Sequence, residues 1–364
     1  MSDPHPRTVL HYVGYDHDAG GIVAVVRALA STGRFHCLLG LNRGSRHELR
    51  PELPVTGFSR VAGETIGVVN WIRSRRVARE VQAWMREDQR RIFHGHSRAG
   101  LLVAGWLHRW GERRVVVSVH CYGTQRWFYR RAAQEHGDRL FWLTPAMRRH
   151  YGLPDDGWKQ CLPGGMAEDR FGVRPAPRIP GRLRLGGAGE ISVRKKWETV
   201  LGAIASLPRD LRPVVSFEHI GAPAPGFGRW AEALQSVAEK AGISGQVIWR
   251  GSEASSRRLL SEIDLLAVPS DHEPYSMILQ EALAAGVPVI AADSGGPSDV
   301  VRPGENGWLF RTGDPSDLAR VIRERLATRD WETMDRTAIR ATARRASEVA
   351  ERWEEVYARI VGAA

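Results

Sequence analysis

The sequence has few cysteines and no long apolar run. Its three cysteines, Cys37, Cys121 and Cys161, are scattered along 364 residues without any C-x-x-C spacing. Neither a disulfide framework nor a cysteine-bound zinc site is therefore predicted. No segment approaches the ~18 apolar residues that a membrane span requires, and no basic segment followed by an apolar one opens the sequence. These absences predict a cytoplasmic protein.

Lysine is scarce, and the positive charge is unevenly distributed. Only four of the 52 basic residues are lysines. Residues 1–165 carry 25 basic and 14 acidic side chains, whereas residues 166–364 carry 27 of each. Within residues 71–91, the apolar residues at helical spacing between arginines are Ile72, Val77, Val81 and Trp84. This pattern predicts a basic helix that is either a solvated face or a surface attracting an anionic acceptor or an anionic membrane.

Two missing motifs exclude further classes. No G-x-G-x-x-G follows the first apolar segment, which disfavours a dinucleotide dehydrogenase. No fingerprint of a DNA- or RNA-binding fold is present, so nucleic acid is not predicted as a partner.

Short apolar segments alternate with helical patterns along the whole chain. The first series of apolar segments is 8–13, 35–41, 91–96, 115–120, 139–144 and 159–165. The second series is 182–189, 213–218, 246–251, 263–270 and 287–292. The alternation predicts two α/β domains, each a doubly wound parallel sheet with helices on both faces. Ligands of such sheets bind beyond the carboxyl ends of the strands, so we expect a cleft between two facing domains.

The domain boundaries follow from the same pattern. The proline-containing stretch 167–181 is predicted as a linker between an N-terminal domain over 1–166 and a C-terminal domain over 182–342. Residues 343–364 contain a long amphipathic helical pattern. That helix either packs on the second domain or crosses back to the first.

The segment 273–291, EPYSMILQEALAAGVPVIA, places two glutamates around a helix start. A buried strand precedes it, and Gly286 is predicted to close the helix. Free backbone N–H groups of Tyr275, Ser276 and Met277, together with the helix dipole, favour a bound phosphate. Glu273 lies before the helix and Glu281 within it, so each can accept hydrogen bonds from hydroxyl groups. A nucleotide sugar has this layout of diols around phosphates.

Four elements in order carry a family resemblance. The E-x7-E pair, the helix and strand after it, Gly295 with Gly296, and the G-x-N-G of residues 304–307 resemble the C-terminal domain of retaining GT-B glycosyltransferases. This is the large E-x7-E family, also called glycosyltransferase family 4 or glycosyl transferases group 1. The resemblance implies a GT-B fold of two Rossmann-like domains. It also implies metal-independent transfer of a hexosyl group from a nucleotide diphosphate to an acceptor hydroxyl, with retention.

The resemblance also implies roles for individual residues. Glu273 takes the position that contacts the donor sugar, and Glu281 the position that contacts the ribose. The amides of residues 275–277 would hold the donor phosphate. Lys195 takes the position of the phosphate-binding lysine, but Glu190 stands where the family has an arginine. Either Arg194 or Lys196 is expected to compensate.

The first half resembles the family more weakly. Gly20 and Gly21 match its glycine-rich loop after the first strand, where backbone amides approach a ligand. The family commonly has a histidine at the position of His120, near the reacting carbon, and His94 and His96 are competing candidates. Asp16 and Asp18 form a D-x-D, which is the metal-binding signature of the other common glycosyltransferase fold. Nothing else in the sequence indicates that fold, so we predict no metal site.

Other functions remain open at this point. A sugar phosphorylase or a nucleotide-sugar epimerase can use the same fold, and a non-catalytic protein can use the basic first half to bind anionic glycans. We expect a UDP-sugar as donor because uridine is common in the family, and no cofactor or metal. The acceptor is expected to be a glycan, a lipid-linked glycan or a small natural product, and peripheral contact with the inner membrane face is a further expectation.

Overall fold

The chain forms two structural units. The computed structural model describes residues 7–18, 20–44, 53–61, 67–253 and 255–362. The first unit comprises Met1–Ala167 together with Arg345–Ala364, and the second comprises Glu168–Arg344.

The first unit is built on a parallel sheet of six strands. The strands are Thr8–Tyr12 (β1), His36–Asn42 (β2), Val55–Phe58 (β3), Ile92–His96 (β4), Val115–Val119 (β5) and Leu140–Trp142 (β6). Their order is β3-β2-β1-β4-β5-β6, so the direction of winding reverses between β1 and β4. The helices are Gly21–Ala30 (α1), Val68–Arg86 (α2), Ser97–Arg109 (α3), Arg126–His136 (α4) and Pro145–His150 (α5). Every residue of β4 and β5 is buried, as expected for strands covered on both faces.

The second unit repeats this architecture. Its strands are Leu183–Ala188 (β7), Val215–Ile220 (β8), Val247–Trp249 (β9), Leu265–Val268 (β10), Val289–Ala292 (β11) and Gly307–Phe310 (β12). The order is β12-β11-β10-β7-β8-β9, with the reversal between β7 and β10. The helices are Trp197–Ala205 (α6), Gly228–Lys240 (α7), Arg257–Glu262 (α8), Met277–Ala285 (α9), Gly296–Val300 (α10), Pro315–Thr328 (α11), Asp330–Thr333 (α12) and Arg336–Ala341 (α13). The predicted pair of doubly wound parallel sheets is confirmed.

Local sequence signals account for the ends of several helices. Asp314 accepts hydrogen bonds from the backbone N–H groups of Ser316 and Asp317, and Pro315 occupies the first helical position, so α11 begins there. Gly286 ends α9 with a φ of 74°, a left-handed conformation that glycine adopts without strain.

The last helix, Ala346–Gly362 (α14), belongs to the first unit. Its buried face packs into the core of that unit, where the Trp353 ring lies 4.9 Å from the Phe141 ring and 4.6 Å from the His94 ring. The helix therefore packs on the first domain and not on the second.

Several sequence predictions differ from the structure. Residues 159–165 are not a strand, because only a single bridge joins Cys161 to Trp142. The strands β3 and β12 were not predicted, since both are four residues long and contain a glycine, which weakens the strand signal. The predicted linker contains a 3-10 helix over Glu168–Gly172.

The basic helix α2 has a different apolar face from the one predicted. Val77 and Val81 are fully buried, but Ile72 is 59% exposed and Trp84 is half-buried. Among the helices of the described residues, none has the length and apolarity needed to cross a bilayer.

Candidate active site

The candidate site of the second unit lies where the winding of its sheet reverses. The loop after β7 and the loop after β10 meet there at the carboxyl ends of the strands. The backbone N–H of Asp271 donates to the carbonyl oxygen of Arg194 at 3.0 Å, and the Lys195 ammonium lies 2.9 Å from the Glu273 carboxylate. In open α/β sheets this reversal point is the usual place for a ligand.

Lys195 and Glu273, predicted separately, form an ion pair. Both side chains are largely buried, with 14% and 12% of their side-chain surfaces exposed. Charge-assisted hydrogen bonds of this kind are shorter and stronger than neutral ones, and each charge compensates the burial of the other. The pair therefore presents a lysine that can bind an anion and a carboxylate that can accept a hydroxyl hydrogen bond, in one fixed arrangement.

The glycine pair after β11 allows the Glu273 loop to approach closely. Gly295 has φ 68° and ψ −132°, and the backbone N–H of Gly296 donates to the Glu273 carbonyl oxygen at 2.8 Å. A Cβ atom on Gly296 would lie 2.2 Å from the Pro274 carbonyl oxygen. Only glycine fits at these two positions, which gives a physical reason for the motif.

The N-terminus of α9 offers backbone groups rather than side chains. Tyr275 is buried and its hydroxyl bonds to Arg344, so only its amide is available to a ligand; burial raises the pKa of Tyr275. Ser276 has a positive φ of 63°, which is strained for a non-glycine residue. Its hydroxyl is buried and has no hydrogen-bond partner within the described residues. The amide of Met277 begins the helix and has no intrahelical acceptor.

Glu281 is held on a different set of partners from Glu273. Its carboxylate accepts a hydrogen bond from the Ser256 hydroxyl, and Arg170 approaches it to 3.9 Å. A cavity of about 770 Å³ is lined by residues on both sides of Ser256, including Ser255 and Arg257. Ser256 was not identified from the sequence, because no motif links it to Glu281 across the intervening strand and loop.

Arg194 and Lys196, the two predicted substitutes for the missing family arginine, each lie near an acidic side chain. Glu190, at the position of the family arginine, lies 3.9 Å from the Arg194 guanidinium and accepts a hydrogen bond from Ser192. Lys196 has a left-handed backbone, and its ammonium lies 3.8 Å from Glu198. Arg194 remains more than half exposed, so it is the more available of the two predicted substitutes.

In the first unit, Gly20 and Gly21 lie at the start of α1, as predicted. Gly20 has φ 104°, and the described residues leave open the space where its Cβ would lie. His120 follows β5, and its Nε2 lies 2.8 Å from Nδ1 of His96. Burial lowers the pKa of His120 to about 4. His96 thus contacts His120 instead of competing with it.

The two aspartates of the D-x-D motif are each paired with an arginine. Asp16 lies 2.6 Å from Arg60, and Asp18 is buried with Arg27 at 3.3 Å. Among the described residues, the group with metal-ligand spacing is instead composed of histidines. His11, His94 and His96 bring ring nitrogens within 4.8 Å of one another. His11 was missed, although its pairing opposite His94 in adjacent strands follows from the register of β1 and β4.

The second half of the chain is similar in sequence to known glycosyltransferases. Residues 180–345 match the sequence model of the family described as "Glycosyl transferases group 1". A lipopolysaccharide core biosynthesis glycosyltransferase, LpsE of Rhizobium meliloti, is 32% identical over 155 residues, which are 40% of this chain and 43% of LpsE. The D-inositol 3-phosphate glycosyltransferase of Nocardia farcinica is 32% identical over 205 residues, 53% of this chain and 44% of that enzyme. The matches thus span less than half of these two relatives.

Solved structures resemble the chain over nearly its whole length. HepE of Anabaena in complex with UDP has a TM-score of 0.75 at 17% identity, and the match covers 97% of this chain and 100% of the HepE chain. Sucrose-phosphate synthase of Thermosynechococcus elongatus has a TM-score of 0.75 at 18% identity, with 98% and 100% coverage. At these identities the likeness concerns the fold, and it confirms the predicted GT-B fold of two Rossmann-like domains.

Replacement of Gly296 by alanine tests the close approach of the Glu273 loop. The added Cβ forces the Pro274 backbone to shift, and overpacking of this kind destabilises by about 1–3 kcal/mol. We expect the melting temperature to fall by roughly 2–12 °C. The matched control is Gly245→Ala, since a Cβ there meets nothing within 4 Å. Equal melting temperatures for both variants would contradict the packing role.

Proposed function

We propose that the protein is a retaining hexosyltransferase that uses a nucleotide diphosphate sugar and no metal ion, since residues 180–345 match the sequence model of the glycosyl transferases group 1 family. The observation that carries the proposal is the Lys195–Glu273 ion pair beside the N-terminus of α9. It combines a cation for the diphosphate, an acceptor for sugar hydroxyls and free helix amides in one place.

The proposed donor is a uridine diphosphate sugar. HepE of Anabaena, which shares the fold, has been solved with UDP and with UDP-glucose. In our proposal Glu281, which accepts a hydrogen bond from Ser256, also accepts hydrogen bonds from the ribose. The amides of residues 275–277 and the Lys195 ammonium hold the diphosphate. Arg194 adds a second cation at the exposed side of the loop.

The chemical step follows from where charge develops. As the bond from the anomeric carbon to the diphosphate oxygen breaks, negative charge grows on the diphosphate, and Lys195 and the helix amides stabilise it. The anomeric carbon becomes oxocarbenium-like, and the acceptor hydroxyl attacks on the face that the diphosphate leaves. The proton of that hydroxyl passes to the departing phosphate, so no separate base is required. Glu273 orients the sugar through its hydroxyl groups.

A metal-independent mechanism is proposed because protein groups supply the positive charge. Lys195 is partly neutralised by Glu273, so the helix dipole and Arg194 carry the remainder. A phosphorylase would instead require inorganic phosphate, and an epimerase would turn over without an acceptor. A non-catalytic glycan-binding protein would tolerate loss of both Glu273 and Glu281.

Variants of the two glutamates test the donor site. We expect UDP to raise the melting temperature more than GDP, ADP or dTDP in the presence of EDTA. Glu281→Ala should weaken UDP binding about 10- to 100-fold, as expected for a lost hydrogen bond to a charged group. Glu273→Gln should keep UDP binding and lower kcat, because it loses the charge that holds the sugar.

The matched control for both variants is Glu232→Ala, an exposed glutamate of the same unit. Calorimetric titration gives the affinity, and sugar release from UDP-hexose gives the rate. Wild-type UDP affinity in Glu281→Ala would contradict the ribose assignment, and full turnover in Glu273→Gln would contradict the role of Glu273. Absence of turnover in the wild type would support the non-catalytic alternative.

We further propose that the first unit contacts an anionic membrane surface. The first two turns of α2 expose Val68, Val69 and Ile72 to 74%, 61% and 59%, and Trp127 at the start of α4 is 62% exposed. An apolar cavity of about 500 Å³ lies between Trp71 and Trp127. The exposed arginines of the same two helices are Arg73, Arg75, Arg76, Arg79, Arg126, Arg130 and Arg131. Helices that expose both apolar groups and arginines complement anionic headgroups over acyl chains.

Co-sedimentation with vesicles tests this contact. We expect binding to phosphatidylglycerol vesicles, weaker binding at high salt, and little binding to phosphatidylcholine. The triple variant Val68→Ser, Val69→Ser, Ile72→Ser should bind at least about 10-fold more weakly, since buried CH₂ groups contribute ~0.8 kcal/mol each. The double variant Val237→Ser, Ile248→Ser changes exposed apolar residues of the second unit and serves as control. Equal binding by the triple variant and wild type would contradict the proposal.

A further inference from the structure

Three histidines from three adjacent strands form a hydrogen-bonded chain in the first unit. His11 lies in β1, His96 ends β4 and His120 follows β5. Nε2 of His120 lies 2.8 Å from Nδ1 of His96, and Nε2 of His96 lies 3.0 Å from Nδ1 of His11. His11 and His96 are buried, whereas His120 is half-buried. This hydrogen-bonded chain of histidines therefore runs from the interior to the carboxyl edge of the sheet.

A fourth histidine fixes the middle ring of the chain. The His94 ring stacks on that of His96, with centroids 4.2 Å apart and planes 23° apart. Nδ1 of His94 bonds to the Tyr357 hydroxyl at 2.7 Å, and Nε2 bonds to the Ser118 hydroxyl at 2.8 Å. Both ring nitrogens of His94 and both of His96 are therefore engaged in hydrogen bonds, which fixes the orientation of these two rings.

All four rings are held in the neutral form. Burial and the charge of His120 lower the pKa of His11 to about 3, and burial lowers that of His120 to about 4. The pKa values of His94 and His96 are well below the usual range for the same reasons. Within the described residues, the charged groups that act on these rings are the other histidines, with no carboxylate among them.

A neutral chain has only two arrangements of its protons. Each neutral imidazole has one N–H and one lone pair, so reversing one hydrogen bond reverses both. In one arrangement His120 donates inward, and Nε2 of His11 must carry an N–H. In the other, His11 donates to His96, His96 donates to His120, and Nδ1 of His120 carries the outward N–H.

The surroundings of His11, at the inner end of the histidine chain, favour one of these two proton arrangements. Nε2 of His11 is buried and has no hydrogen-bond partner within the described residues. An unpaired buried N–H is rarer in proteins than an under-satisfied acceptor, so a lone pair is favoured at this atom. Nδ1 of His120 makes no hydrogen bond in the described part of the chain and is not enclosed. The N–H is therefore expected at His120, facing outward.

We propose that His96 and His11 are positioning residues that hold His120 as a neutral donor with its Nδ1–H turned outward. Such a donor can bind a hydroxyl or ring oxygen of a sugar, and it does not act as a general acid because it gives up no proton. This role in sugar transfer rests on the glycosyltransferase function proposed above, whereas the tautomer of His120 does not.

Nitrogen-15 NMR of the full-length protein with labelled histidines tests the tautomer of His120 directly. We expect His120 to show a protonated Nδ1 and an unprotonated Nε2 at pH 6.5–8, unchanged by EDTA or by added Zn²⁺. A protonated Nε2 on His120 overturns the proposal. A spectrum that shifts on addition of EDTA or Zn²⁺ also overturns it and identifies a metal site instead.

Substitution of His96 tests the positioning role. His96→Phe removes the donor to His120, so we expect a mixture of His120 tautomers and a kcat about 10-fold or more below wild type. The UDP-induced melting shift should stay within about 2-fold, since UDP carries no hexose for His120 to bind, whereas kcat/KM for the UDP-sugar should fall with kcat. His96→Asn keeps an N–H and should restore part of kcat. His36→Phe, at an exposed histidine of the same unit, is the matched control.

The outcomes separate this proposal from the proposed function. An active wild type with unchanged kcat in His96→Phe contradicts the positioning role. Absence of transfer in the wild type, with the expected His120 tautomer, refutes the proposed function and leaves the histidine chain standing. If His96→Phe does not fold, the wild-type NMR spectrum still tests the tautomer of His120. The variant His11→Phe, which should also give a mixture of His120 tautomers, then tests the positioning role.

Discussion

The ion pair between Lys195 and Glu273 is the interaction on which the second unit's site depends. It joins the loops that leave β7 and β10 at the point where the sheet reverses its winding. The Glu273 loop reaches this position because Gly296 admits the Pro274 carbonyl where any side chain would collide. Backbone geometry that only glycine permits thus fixes the placement of a buried charge pair.

Contiguous motifs in the sequence were sufficient to predict much of this site. Glu273 and the start of α9 were proposed from the helix boundary, and Lys195 from the resemblance of its segment to the family's phosphate-binding segment. Partners from other segments of the chain were not predicted, as the contacts of Ser256 and Arg170 with Glu281 illustrate. Such contacts are set by tertiary packing, which no local periodicity encodes.

The two units present different kinds of polar group at the ends of their strands. The second unit offers formal charges and helix amides, suited to a diphosphate. The first unit offers a neutral histidine chain that begins at His11, suited to uncharged oxygen atoms. The same parallel-sheet architecture carries both, because residues at the carboxyl ends of the strands and in the loops after them decide the chemistry, and the fold supplies only their positions.

Calorimetric titration of UDP and UMP, first in EDTA and then with Mg²⁺, tests most directly whether protein groups alone hold the diphosphate. We expect UDP to bind at least about 10-fold more tightly than UMP in EDTA, because the second phosphate gains charge-assisted hydrogen bonds. Lys195→Met should remove most of that difference, and Mg²⁺ should change the wild-type affinity by less than about 2-fold. Binding of UDP that appears only with Mg²⁺ would contradict a metal-independent site built on Lys195 and Glu273.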